Sequence, residues 1–209
     1  MKKNYKELIN ERYNRRLIKY GDDIRTLASG NIERRNIRYK ILFELGLANN
    51  TRVLELGCGF GDFNGYLCSK GIKVNYVGYD INPNLIDIAK EKYPNAKFEV
   101  KDIQEETFPN FDYIVSSSSF NLMLEEGENY TFLENILKTC FSHSYRGVAV
   151  DFLTSYCDYK LPKAFHYEPE KVLRISKKIT KRVCLRHDYP LFEFCVYLYP
   201  DFKGWQKRK

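Results

Sequence analysis

The stretch Val53-Leu-Glu-Leu-Gly-Cys-Gly-Phe-Gly-Asp62, VLELGCGFGD, sets three glycines within five positions directly after an apolar run. The apolar run reads as a strand, and the glycines as a turn that opens a helix. Glycines 57, 59 and 61 therefore fall at the carboxyl end of a strand, where open α/β sheets bind their ligands. Without side chains, such a turn lets backbone approach a ligand closely. Acids frame it: Glu55 stands two residues before the first glycine and Asp62 directly after the last.

Outward from this turn, strand-like runs alternate with helical patterns every 20–25 residues or so: RVLEL, a helix from about 62 to 69, KVNYVGYD, a helix over 83–93, KFEVKD, FDYIVSS, a helix over 129–143, and RGVAVDFL. Such alternation predicts βαβ units and a parallel sheet with helices on both faces. Before it, Tyr5, Leu8, Ile9, Tyr13 and Leu17 recur at helical spacing among Lys and Arg, and Gly21 follows as a stop. A second helix is expected from about 33 to 45, carrying Ile37, Ile41, Leu42 and Leu45. After it all, a helix over 168–180 leads into KRVCLRHDYPLFEFCVYLY, two strand-like runs separated only by the residues around His187-Asp188-Tyr189-Pro190. So short a link permits an antiparallel neighbour and forbids a parallel crossover, so the sheet should be mixed and closed by a hairpin. The segment 204–209, GWQKRK, reads as a frayed tail.

With 209 residues, 44% hydrophobic and 15% aromatic, the chain has the composition of one globular domain. We expect an N-terminal helical cap or lid over 1–48, a ligand-binding core over 50–155, and a helix with an edge hairpin over 156–209. No run approaches the roughly 18 apolar residues of a membrane span, and MKKNYKELIN becomes charged too early for a secretion signal. A cytoplasmic protein without a membrane partner is expected. The cysteines at 58, 68, 140, 157, 184 and 195 lie at least ten residues apart and form no metal-ligand or redox spacing, so most are expected to be buried thiols. With three histidines, no metal centre is expected. Charge is uneven: 12 basic against 5 acidic residues over 1–40, 9 against 17 over 41–159, and 13 against 5 over 160–209. Basic ends around an acidic centre favour an anionic partner, such as a phosphorylated small molecule, a nucleotide-sugar or RNA.

The spacing at the turn is G-x-G-x-G, not the G-x-G-x-x-G of dinucleotide sites. Glu55 and Asp62 crowd the place where a pyrophosphate would lie, and like charges at that range oppose binding. They suit a ligand with a positive end, such as an ammonium beside a sulfonium. Nineteen residues past Gly61 the second strand ends at Asp80, placed to accept hydrogen bonds from both ribose hydroxyls. Asp102 ends the next strand and can accept from an adenine amine, with Ile81 and Ile103 on either side of the ring. A nucleoside with a cationic amino-acid tail, S-adenosylmethionine, meets all of these demands.

VLELGCGFG, GYDIN, KDI and FDYIVSSSSFN, in this order and spacing, resemble the successive motifs of class I S-adenosylmethionine-dependent methyltransferases over about 50–155. The resemblance implies a Rossmann-like, doubly wound, seven-stranded α/β sheet, mostly parallel, with its last strand antiparallel. It implies that Glu55, Gly57, Cys58 and Gly59 hold the methionine part, Asp80 the ribose, and Asp102 with Ile81 and Ile103 the adenine. Ser117 would edge the methyl-donor pocket, and the product would be S-adenosylhomocysteine. A fainter resemblance at both ends is to small bacterial methyltransferases, some of which belong to surface-carbohydrate pathways.

Methyl transfer from a sulfonium asks mainly for position, worth up to about 7–11 kcal/mol. A base can add on the order of 10²–10⁴ in rate. The family's Asn/Asp-Pro-Pro-Tyr motif for exocyclic base amines is missing after FDYIV, as is a Pro-Cys nucleophile, which leaves an oxygen or nitrogen on a small acceptor. Candidate bases are His166 and the pair His187–Asp188, where an acid can orient an imidazole. Asn121 stands where relatives place a polar residue beside the methyl group, and Tyr156 and Asp158 lie at the rim. Of Arg34, Arg35 and Arg38, one is expected to pair with the methionine carboxylate or a substrate phosphate, and Arg38 is assigned that part. Each of these residues also has a structural alternative: a turn histidine, a capped helix start, a solvated helix face. Rival readings are RNA methylation, opposed by the lack of any RNA-binding module, a non-catalytic cofactor-binding module, and NAD-dependent oxidoreduction, opposed by the glycine spacing and the acids.

Overall fold

The computed structural model describes residues 5–125 and 127–201. The elements in order are α1 (Tyr5–Tyr20), α2 (Ile32–Phe43), β1 (Arg52–Leu56), α3 (Asp62–Ser69), β2 (Asn75–Asp80), α4 (Pro83–Lys92), β3 (Lys97–Val100), β4 (Phe111–Ser116), α5 (Glu128–Ser142), β5 (Ser144–Leu153), α6 (Pro169–Ile179), β6 (Arg182–Arg186) and β7 (Glu193–Tyr199). The tail at 204–209 and residues 1–4 of the expected N-terminal cap lie outside the described residues. Among the described residues no helix is long and apolar enough to cross a membrane.

One seven-stranded sheet carries the fold, in the order β3-β2-β1-β4-β5-β7-β6. Pairings are parallel from β3 through β5, whereas β7 runs antiparallel to both β5 and β6. The crossover through α6 carries the chain past one vacant position, and the short link from β6 folds β7 back into it. Alternation along the strands fills two cores, one on each face of the sheet. Val53, Tyr113, Val115, Ala149, Cys195 and Tyr197 pack with α2, α3 and α4. Leu54, Ile114, Val148, Val150, Phe194 and Val196 pack with α5 and α6. Since helices lie on both faces, β1 is buried from Val53 to Leu56 and reads as a continuous apolar run broken only by Glu55.

Cysteine use departs from expectation. All six are free, but only Cys58, Cys140 and Cys195 are buried, while Cys68 and Cys184 are exposed. Cys68 closes a short surface helix, and Cys184 sits on the sheet's edge strand, where one face meets solvent.

Two caps fix the helices that bear on the site. Asn31 accepts from the Arg34 N–H at the start of α2. Asn82 accepts from the Asn84 and Leu85 N–H groups at the start of α4, with Pro83 at the first turn. Asn82 is fully buried, and its Nδ2 also donates to Asn14 Oδ1 on α1, 2.9 Å away. Replacing Asn82 with Ala therefore removes a cap and a tie to α1. Urea unfolding of Asn82→Ala should show a loss of about 1–2 kcal/mol with the m-value unchanged.

Candidate functional site

The glycine turn leaves β1 with its amide groups already engaged. Gly57 and Cys58 N–H both donate to Tyr79 O (2.8 and 3.1 Å), and Gly61 N–H donates to Cys58 O (2.8 Å). Gly59 N–H donates to Asp80 Oδ2 at 2.9 Å. No nest of free N–H groups faces outward at these four positions, so the turn is not built to cradle a pyrophosphate. A Cβ at Gly57, whose φ is +65°, would sit 2.1 Å from Ser119 Oγ, so the loop after β4 closes directly over the turn. Gly78, on β2, serves in the same way: a Cβ there would lie 2.8 Å from Cys58 Sγ.

Above the ends of β1, β2 and β4 lies a cavity of about 170 Å³. Glu55, Gly57, Cys58, Gly59, Asp80, Ile81, Asp102, Ile103 and Ser117 all line it. Asp80 accepts from Gly59 N–H on one oxygen and from Asn82 N–H, 2.9 Å, on the other. Each oxygen keeps further acceptor capacity. Burial raises the Asp80 carboxyl, and the backbone hydrogen bonds from Asn82, Gly59 and Ile81 work against that rise. Asp102 Oδ1 accepts from Gln104 N–H at 3.0 Å, which steadies the acid at the cavity wall. Glu55 is 2% exposed and has no cationic partner among the described residues; Tyr76 Oη donates to its Oε2. Burial pushes Glu55 well above the usual carboxylate range.

The second acid flanking the glycines has another task. Asp62 pairs with Arg35 Nη1 at 2.8 Å and Lys92 Nζ at 2.9 Å, tying α3 to α2 and α4. Two cations neutralise it, so the electrostatic case against a pyrophosphate rests on Glu55 and Asp80 and not on Asp62. Arg35 itself lines the cavity, and its Nε is buried without a partner among the described residues. Ile9 and Tyr13 of α1, Leu27 and Ser29 of the following loop, and Lys101 complete contributions that sequence reasoning missed. Of these only Lys101 stands in a recognised motif, KDI, and the acid beside it drew the reading. Only the helical spacing of Ile9 and Tyr13 marked them, and it marked them as packing.

A second cavity of about 310 Å³ adjoins the first, and Ser118 and Ser119 border both. Arg38 opens on this second cavity and not on the first. It is buried, Nη1 donating to Glu193 Oε1 at 2.8 Å and Nη2 to Ser29 O, so a partner on β7 holds the guanidinium away from the place assigned to it. Asn121 also lines the second cavity, its Oδ1 accepting from Leu153 N–H at 3.1 Å. His166 does too, but both ring nitrogens are engaged: Nε2 accepts from Leu161 N–H at 3.1 Å, so Nδ1 carries the hydrogen and donates to Thr154 O at 2.9 Å. That tautomer leaves no free lone pair for a base.

His187 and Asp188 border none of these cavities. Arg186 takes both Asp188 oxygens, at 2.7 and 3.1 Å, and holds the carboxyl below its usual range, while the His187 ring packs near Tyr156 and Phe194. The acid two residues past the end of β6 serves Arg186, the last residue of that strand, and not the neighbouring imidazole. Tyr156 Oη donates to Glu170 Oε1 at 2.7 Å, and Tyr159 takes the cavity wall in place of Tyr156 and Asp158. Behind the shared serines lies Asp151, 1% exposed, which accepts from Ser118 N–H at 2.6 Å and from Ser117 Oγ at 3.0 Å.

Residues 53–140 match the family model described as a methyltransferase domain. A Mycobacterium tuberculosis protein that carries the name methyltransferase Rv1506c is 33% identical over 153 residues, which span 69% of this chain and 90% of that one. The magnesium-protoporphyrin O-methyltransferase of Rhodobacter capsulatus is 38% identical over 73 residues, 32% of either chain. Among solved structures, the magnesium protoporphyrin IX methyltransferase of Synechocystis PCC 6803 with bound SAH superposes with a TM-score of 0.64 at 13% identity, covering 92% of this chain and 97% of that one.

Asp151 provides a titration that reports on the wall between the cavities. Burial, and after it the charge of Glu193, push its carboxyl up to about 7. The folded chain thus holds a proton that an unfolded carboxyl, near about 3.9, has released. The corresponding stability is fully present below the unfolded value and is lost as pH rises through the folded one. Urea titrations between about pH 4 and pH 7 should show wild type losing stability with rising pH, and Asp151→Asn showing a flatter profile. Parallel profiles would place the titration elsewhere.

Proposed function

The chain belongs to the class I S-adenosylmethionine-dependent methyltransferases, and within that family we propose that it methylates an oxygen or nitrogen of a small, anionic metabolite. The cofactor, S-adenosylmethionine, supplies an electrophilic methyl group on a sulfonium. The residues of the first cavity fit it, because the turn offers no free N–H at its engaged positions and its wall includes both an uncompensated buried Glu55 and an Arg35 whose Nε is unpartnered. Their presence in one cavity, an acid for an ammonium and a guanidinium for a carboxylate, is the observation that carries the reading. Arg35 takes the part that the sequence had given to Arg38. Asp80 accepts from the ribose hydroxyls, and Asp102 with Ile81 and Ile103 receives the adenine.

The acceptor occupies the second cavity, across the shared wall of Ser118 and Ser119. Arg12 and Arg34 line this cavity and make no ion pair among the described residues, which suits a phosphate, a carboxylate or an acidic sugar. Such an acceptor fits a surface-carbohydrate pathway in the cytoplasm. Helix α1 acts as a lid. No residue of it is buried, yet Asn14 Oδ1 accepts from both Asn82 and Asn84 side chains, and Tyr5 Oη donates to Glu128 Oε2, so polar ties hold it over both cavities. Asn121 stands beside the acceptor, and the position of the reactants accounts for most of the rate.

Calorimetry should show S-adenosylhomocysteine binding and NAD not binding; the reverse order would overturn the assignment. Asp80→Asn should weaken S-adenosylhomocysteine by about 10–100-fold, the worth of hydrogen bonds to a charged acceptor. An ammonium beside Glu55 favours its ionised form, so binding should release a proton and tighten as pH rises. Heats of binding measured in buffers of different ionisation enthalpy test this, and Glu55→Gln should abolish the dependence. Incubation with methyl-labelled S-adenosylmethionine and a pooled low-molecular-weight metabolite extract, read by mass spectrometry, identifies the acceptor. Label appearing in bulk RNA alone would refute the small-molecule reading.

A further inference from the structure

Glu193 begins β7 and forms part of the wall of the second cavity, where it is the one carboxylate among the described lining residues. It is 5% exposed. Arg38 Nη1 holds Oε1 at 2.8 Å, whereas Oε2 is buried and has no hydrogen-bond partner among the described residues. Leaving a buried carboxylate oxygen unpaired is costly, and folded chains seldom tolerate it without a use. None of the nitrogen-bearing side chains of the cavity can take a proton in its place, and the hydroxyls of Tyr13, Tyr159, Ser29, Ser118 and Ser119 are weaker bases than a carboxylate. His166 has both nitrogens engaged, Asn121 is an amide, and Arg34 and Arg38 are guanidinium ions.

We propose that Glu193 is the general base of the second cavity, its Oε2 accepting the hydrogen of the acceptor's hydroxyl or amine while Arg38 fixes Oε1. The inference rests on the reading of that cavity as the acceptor site. The acceptor's X–H bond breaks, the proton passes to Oε2, the freed pair forms the X–C bond to the methyl group, and the S–C pair remains on sulfur as a neutral thioether. After product release the proton returns to solvent. The acceptor must therefore carry a nucleophile with a hydrogen to lose, on the same molecule as the anionic group held by Arg12 and Arg34.

Several groups face Glu193. Arg38 comes from α2 and pairs with it directly. Asp151 on β5 and Tyr189 in the link before β7 are both raised partly by its charge, and His166 lies in the same cavity wall. Arg38 is the cation set directly against the Glu193 carboxyl, and the proton on Asp151 relieves the repulsion between the two acids.

The test uses the full chain, methyl-labelled S-adenosylmethionine and the pooled metabolite extract, with transfer rates from about pH 5 to about pH 9 and S-adenosylhomocysteine binding measured alongside. Glu193→Gln should transfer label about 10²–10⁴-fold more slowly at neutral pH while binding S-adenosylhomocysteine as wild type does. The deficit should shrink at high pH, where the acceptor ionises unaided. Glu193→Gln transferring at the wild-type rate would overturn the proposal. Should loss of the Arg38 partner prevent that variant from folding, Glu193→Asp preserves the charge: slower transfer with cofactor affinity intact supports the base, and an unchanged rate and pH profile overturns it. A wild-type chain that binds S-adenosylhomocysteine but labels no small molecule sinks the acceptor reading and this inference with it. Failure of Glu193 alone leaves wild-type labelling in place, so the two are told apart.

Discussion

The carboxylate of Asp80 joins the turn after β1 to the start of α4 at the wall of the first cavity. One oxygen takes the Gly59 N–H of the turn after β1, and the other takes the Asn82 N–H at the start of α4. With Tyr79 O receiving the Gly57 and Cys58 amides, the end of β2 fixes the shape of the glycine turn from the side. A turn whose N–H groups are engaged in this way has little to offer a phosphate. It offers acids instead, Glu55, Asp80 and Asp102 all lining the cavity above it. The glycines are needed here less for the ligand than for the protein, since Ser119 packs on Gly57 and Phe98 on Gly61 at distances no Cβ would survive.

Elements with a strong period were readable in the sequence. The alternation of strands and helices from residue 52 onward appears as β1 through β5, with α3 and α4 within a residue of the expected bounds. The short link after Arg186 announced the antiparallel pairing, because backbone geometry leaves a strand no other way to turn. Of the residues tied to the glycine turn and the strand ends, Glu55, Gly57, Cys58, Gly59, Asp80, Asp102 and Ser117 gather at one cavity, because motif order and strand order coincide there. Side chains whose role depends on a distant partner were not readable. Asp62 looks like a ligand acid until Lys92 and Arg35 arrive beside it from other helices. Arg38 looks free until β7 brings Glu193, a residue 155 positions later, against it. His187 and Asp188 are neighbours in sequence, yet Arg186 claims the acid.

The second cavity draws its wall from α1, α2, the loop after β4 and β7, parts of the chain with no shared motif. This explains why the second cavity is silent in the sequence while the first is legible: the latter is written in one contiguous pattern, the former in long-range contacts. Ser118, with a φ of +57° and its N–H on Asp151, stands at the seam of the two. A non-glycine residue held there by a buried acid indicates a backbone whose course is fixed by its surroundings.

The place of β7 between β5 and β6 has a consequence for biosynthesis. A ribosome delivers β6 before β7, so β6 has no sheet edge to join when it emerges. Until residues 193–199 follow, β5 presents a row of open amide and carbonyl groups at the edge of the sheet. Bare strand edges of this kind attract other chains. The nascent protein is therefore exposed to aggregation in the interval between the emergence of β5 and that of β7, and a chaperone would find its target at that edge.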